Sequence, residues 1–161
     1  MTGRPPPREQ LDPRARTLWR IGGITTATIM ALVAAGLAAG AVWLDLLPMV
    51  AALGLVALVV VVTGAVGWLV PEQRWRLWRY EIGEAEVDLQ HGWLTRTRTL
   101  IPMARIQHVD TRRGPLQRRF GLASVVLYTA AGAREIPALA DQVADATRDR
   151  IAALANVQDD L

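Results

Sequence analysis

The sequence predicts a membrane α-helical hairpin followed by an α+β cytoplasmic domain, a bent antiparallel sheet closed by a C-terminal helix. Two uncharged apolar runs, Ile21–Leu44 and Leu46–Val70, are separated only by Asp45. Each holds roughly 24 residues, enough to cross an ~30 Å hydrocarbon core at about 1.5 Å rise per residue. Arginines gather at the outer ends of this pair, where positive charge is retained on the cytoplasmic side. After Pro71 the long runs give way to short segments of alternating polarity, the period of half-buried strands.

Residues 1–19 precede the spans and hold Pro5, Pro6, Pro7 and Pro13 among charges. Such a segment buries too little apolar surface to offset its ordering entropy, so a disordered cytoplasmic tail is expected. Residues 20–70 form the hairpin. A cleaved leader would share its basic start and Ala39-Gly40-Ala41, but the first run exceeds the usual 7–15 residues of such a segment and a second run follows at once. Pro48 sits at the entry of the second span, where a missing N–H costs little. Arg4, Arg8, Arg14, Arg16 and Arg20 precede the hairpin, Arg74, Arg76 and Arg79 follow it, and the turn carries only Asp45. Both termini are therefore expected in the cytoplasm of a two-span protein of the cell membrane.

In the first span Gly36 and Gly40 form a G-x-x-x-G pair, and Ala27, Ala31, Ala35 and Ala39 recur every fourth residue. Small residues at this spacing let helix backbones approach closely. Two readings stand: packing of the first span on the second, or packing between protomers. Trp43 and Trp68 lie near span ends, at headgroup level.

Residues 71–156 form the domain. Strands are expected over Trp75–Ile82, Val87–Gln90, Trp93–Ile101, Arg105–Arg112, Ala123–Thr129 and Arg134–Ile136, with a helical turn over Leu116–Phe120 after Gly114-Pro115. From Leu139 to Ala155 the period is helical, with Leu139, Val143, Thr147, Ile151 and Leu154 in one stripe. Ile106, Leu116, Phe120, Val125, Leu127, Val143, Ile151 and Leu154 are expected to share one core. Residues 157–161 are a short tail.

The stretch Arg105–Ala123, RIQHVDTRRGPLQRRFGLA, resembles the signature of the bacterial pleckstrin-homology-like (PH-like) membrane proteins of the YdbS-like type. Ile106, Gln107, Val109, Gly114, Pro115, Leu116, Arg118, Gly121 and Leu122 fall on its pattern, and the likeness runs from about residue 20 to 155. It implies a two-span hairpin carrying one PH-like domain, and a related multi-span PH-like membrane protein as a partner. It brings no catalytic or cofactor residues. The lysine-rich loop with which eukaryotic PH domains hold phosphoinositides has no counterpart here.

Residue chemistry argues against an enzyme. The chain has no cysteine, Ser124 is its single serine, His91 and His108 its two histidines, and all 18 basic residues are arginine. Thiolate, disulfide and Schiff-base chemistry are thereby excluded. His108 and Asp110 share a strand face, but without a third ligand a structural histidine is the simpler reading. No cofactor or metal is expected. Glu81, Glu84, Glu86 and Asp88 read as solvated strand ends, with ion pairs to Arg74 or Arg76 as the alternative.

Arg105, Arg112, Arg113, Arg118 and Arg119, with Arg96 and Arg98 nearby, are the densest charge of the domain. They make a candidate surface for a partner or for anionic lipid, since a tethered domain stays near the headgroups. Without interleaved aromatic platforms nucleic acid is not expected. The sequence thus points to a non-enzymatic, membrane-anchored interaction or assembly module acting with itself, as a homo-oligomer, or with a related membrane protein. An anionic-lipid-binding or envelope-sensing module is the alternative.

Overall fold

The computed structural model describes residues 5–92 and 95–159. Arg4, Trp93, Leu94 and the end of the C-terminal tail lie outside the described residues. Two units form, Trp19–Glu72 on one side, and the stretch up to Leu18 with everything from Gln73 onward on the other.

The first unit is the hairpin. Helix α1 (Arg14–Trp43) and helix α2 (Met49–Leu77) are both long and apolar enough to cross a membrane. Asp45 makes the turn between them at φ 53°, a left-handed conformation that aspartate tolerates better than most residues. Pro48 caps the entry to α2, its carbonyl accepting from the Ala51 and Ala52 amides at 3.0 and 3.1 Å. The two helix backbones come into close contact at Gly23 and Gly67. A Cβ added to Gly23 would lie 2.8 Å from the Gly67 Cα, and one added to Gly67 would lie 3.1 Å from the Gly23 carbonyl carbon. Just outside this crossing, Arg20 reaches Glu72 at 3.2 Å and lies over the Trp68 ring at 4.6 Å.

The second unit holds two antiparallel sheets. Strands β1 (Glu9–Gln10), β2 (Arg79–Ile82), β3 (Glu86–His91) and β4 (Thr97–Pro102) pair in that order. A 3-10 turn, Met103–Arg105, leads to β5 (Ile106–Arg112), the short helix α3 (Pro115–Arg119), β6 (Leu122–Thr129) and β7 (Gly132–Ala140), with sheet order β5-β6-β7. Helix α4 (Asp141–Asp159) packs on β5, β6, β7 and the 3-10 turn. Val87, Leu89, Ile101, Met103, Val125, Leu127, Ile136, Leu139 and Ile151 fill the core. Alternation along β6 supplies Val125 and Leu127 from one face, as strand geometry requires.

The N-terminal segment departs from expectation. It is not a loose tail: β1 pairs with β2 through Glu9↔Tyr80 and Gln10↔Arg79. Leu11 is 2 % exposed and Pro7 is buried. Long-range bonds fasten the strap. The Arg98 guanidinium donates to the Pro5 carbonyl at 2.9 Å, the Trp75 indole to the Leu11 carbonyl at 3.0 Å, and Arg14 to the Phe120 carbonyl at 2.8 Å. Composition measures the segment's own apolar content, which is low; it says nothing of a pocket that distant residues build for a single leucine.

Three further expectations are corrected. The strand from Trp75 begins only at Arg79, because α2 continues through Pro71 to Leu77. Pro71 forgoes one bond of the ladder, and the residues after it resume the helix to Leu77. Helix α4 starts at Asp141, so its buried face is Ala144, Thr147 and Ile151. Val143 falls off that face and is 45 % exposed, Leu154 is half-buried, and Leu139 belongs to β7. Finally, Ile106, Leu116 and Phe120 are half-buried rather than central. The α3 turn packs against β6 and Phe120 keeps part of its surface exposed, so truncating it removes less buried area than a core site would.

Candidate functional site

The sequence singles out five arginines as one surface, and the structure divides them. Arg105 precedes β5 and Arg112 ends it, so about seven residues at roughly 3.3 Å each hold them apart. Arg113 is consumed within the fold. Its Nε donates to Asp141 Oδ1 and its Nη2 to Asp145 Oδ2, both at 2.7 Å. These carboxylates, Asp141 foremost, hold its guanidinium pKa above the ordinary arginine value. Arg112 turns onto the sheet, donating to the Tyr128 hydroxyl with its guanidinium 5.9 Å from the ring. Arg118 and Arg119 remain exposed on α3. Arg118 donates from Nε to the Arg113 carbonyl at 3.4 Å, and Arg119 meets no acidic partner among the described residues.

Two residues that sequence reasoning passed over hold α3 in place. Gln117 accepts the Gly114 amide at Oε1 (2.9 Å) and donates from Nε2 to Ser124 Oγ (2.8 Å). The helix is thus closed at its start and tied to β6 by one side chain, and the buried serine hydroxyl is satisfied. The signal was readable: a glutamine three residues after the helix-opening glycine has the spacing of a capping box. Arg14 secures the other end of α3 through its bond to Phe120. Asp12 accepts from the Arg14 amide at 2.8 Å and from its Nε and Nη2 at 3.0 Å. These bonds, the side-chain one first, depress the Asp12 pKa below the usual carboxylate range.

Among the histidines, His108 stacks on Tyr128 with ring centroids 4.1 Å apart, and Asp110 Oδ2 lies 3.9 Å from its Nε2. His91 lies 5.9 Å from the Trp78 ring. Among the described residues no group of three or more histidine or carboxylate side chains is placed to hold a metal. In the acidic stretch, Asp88 departs from both readings. Asp88 is held by Arg98 at 2.6 Å, a diagonal cross-strand pair in a register that joins Asp88 to Leu100 and Gln90 to Arg98. Tyr80 lies beside Glu9 across β1 and β2, and burial raises its pKa.

In the hairpin unit, Gly36 and Gly40 face outward, and a Cβ built on either would meet nothing within 4 Å. The close crossing instead uses Gly23 and Gly67, one glycine from each helix, a pairing that no single-helix motif announces.

Two apolar helices long enough to span a bilayer, two antiparallel sheets and a C-terminal helix together define a membrane protein with a PH-like domain. The chain belongs to the family described as "Bacterial PH domain", whose pattern matches residues 21–155. It is similar to the UPF0699 transmembrane protein YdbS of Bacillus subtilis (strain 168), 36 % identical over 96 % of this chain and 96 % of the relative. No solved structure matches the chain.

Proposed function

We propose that the protein is a non-enzymatic, membrane-anchored assembly module. Its spans associate with a second copy, or with a related multi-span PH-like membrane protein, through the face bearing Gly36 and Gly40. The observation that carries this reading is that the hairpin closes on itself at Gly23 and Gly67 and leaves Gly36 and Gly40 uncovered. The G-x-x-x-G face is therefore spare for another helix. Absence of charge from both apolar runs argues against a catalytic or transport site at membrane depth.

Crosslinking in native membranes tests the reading. Gly36→Leu and Gly40→Leu should each lower the crosslinked fraction several-fold, since a leucine holds backbones apart. Gly54→Leu, at an equally open glycine of the second span, should leave it unchanged. Equal crosslinking in all variants would remove this face from the assembly.

The PH-like unit sits on the cytoplasmic side. Pairing of β1 with β2 supports both ends of the hairpin lying on one side, and the flanking arginines choose the cytoplasm. The chain has no cysteine, so Asp45→Cys is a unique label. It should react with an impermeant maleimide from outside intact cells, and Asn156→Cys should react only after lysis; the reverse pattern would invert the topology.

A further inference from the structure

We propose that α3 is the surface by which the PH-like unit docks on the anionic headgroups of the leaflet that anchors it. Arg118 and Arg119 project from this helix and are exposed, as is Pro115 at its start. The acids of the neighbourhood are committed elsewhere, Asp141 and Asp145 to Arg113 and Asp12 to Arg14. The two α3 guanidiniums are left with no side-chain counter-charge among the described residues.

Position supplies the second argument. The bond from Arg14 Nη1 to the Phe120 carbonyl ties α3 to a residue only seven positions before Ile21, where the apolar run begins. However the two units are disposed, seven residues reach no further than about 25 Å. Gln117 and Ser124 fix the helix on the sheet, so the arginines are presented on a rigid base. A basic group near an anionic leaflet gains about a fivefold bias toward it, and two gain roughly 25-fold. The tether makes this weak bias sufficient, because the surface is always at high effective concentration. The recognised feature is a charged surface rather than one headgroup, since Arg118 and Arg119 are both exposed.

The full chain, with Pro115→Cys carrying an environment-sensitive fluorophore, is reconstituted in vesicles whose headgroups bear a quencher. Quenching should be at least several-fold stronger with phosphatidylglycerol present than in phosphatidylcholine alone. Salt at about 0.5 M should abolish the difference, the screening length then being only about 4 Å. Arg118→Gln with Arg119→Gln should reduce quenching to the neutral-vesicle level, whereas Arg118→Lys with Arg119→Lys should keep it. Equal quenching in both vesicles, quenching in neither at low salt, or loss in the lysine variant would overturn the proposal. Quenching that needs added native membrane protein would assign α3 to an acidic protein partner instead. None of these results bears on Gly36 and Gly40, so the assembly reading stands or falls separately.

Discussion

Leu11→Ala is expected to destabilise the PH-like unit by about 2–5 kcal/mol, the range for emptying a buried leucine site. Against a total of about 5–15 kcal/mol for a folded domain, that is a large share of the stability. Leu11 is 2 % exposed, and its carbonyl and that of Asp12 accept the Trp75 indole at 3.0 and 3.2 Å. The substitution leaves those carbonyls in place and removes only packed methyl groups, so the loss reads the cavity. Denaturant unfolding of the full chain in micelles, followed by tryptophan emission, should show the midpoint fall. Arg8→Ala, at an exposed position of the same segment, should shift it by no more than about 0.5 kcal/mol. Equal midpoints for the two variants would return residues 5–13 to the status of a tail.

Gly23→Leu should separate the two spans. An added Cβ meets backbone, Gly67 Cα at 2.8 Å and Gly67 O at 2.9 Å, and backbone cannot swing aside as a flexible side chain does. Overpacking of this kind costs about 1–3 kcal/mol, with further loss where the Arg20–Glu72 pair just outside is pulled apart. Gly67→Leu should cost a similar amount. The double variant should cost less than the sum, because both substitutions break one shared contact. Thermal unfolding in detergent reads all three. Gly36→Leu is the comparison: facing outward, it should leave hairpin stability unchanged even where it alters association. A Gly36→Leu cost equal to that of Gly23→Leu would show that the crossing lies elsewhere.

The features readable from the sequence are those whose cause is local. Span length and charge, the strand alternation around Ile101 and Leu127, and the glycine-proline entry to α3 each depend on residues within one turn or one strand. What could not be read is pairing across distance. Leu11 needs Trp75, Pro5 needs Arg98, and Arg113 needs Asp141 and Asp145; nothing in either partner's neighbours announces the other. This is why five arginines that look like one patch become two exposed side chains on α3, one ion-paired group, one tyrosine partner and one remote residue. Phase failed for a similar reason. Leu139 belongs to β7 and does not set the direction of α4, whose buried face is fixed by packing on the sheet through Ala144, Thr147 and Ile151; Val143, about 100° around the helix from Ala144, falls outside it.

The strap also has a consequence for how the molecule is made. Residues 5–13 leave the ribosome before β2 and Trp75, which hold them and follow only after both apolar helices. At roughly 5–20 residues per second, the 64-residue interval between Leu11 and Trp75 corresponds to about 3–13 s. During that time the strap waits without its partner while the hairpin enters the bilayer. A chain whose second span failed to return would leave β1 and β2 on opposite sides of the membrane, and the domain would lack its edge strand and its leucine plug. Pairing of β1 with β2 therefore depends on the second helix returning the chain to the side on which the first began.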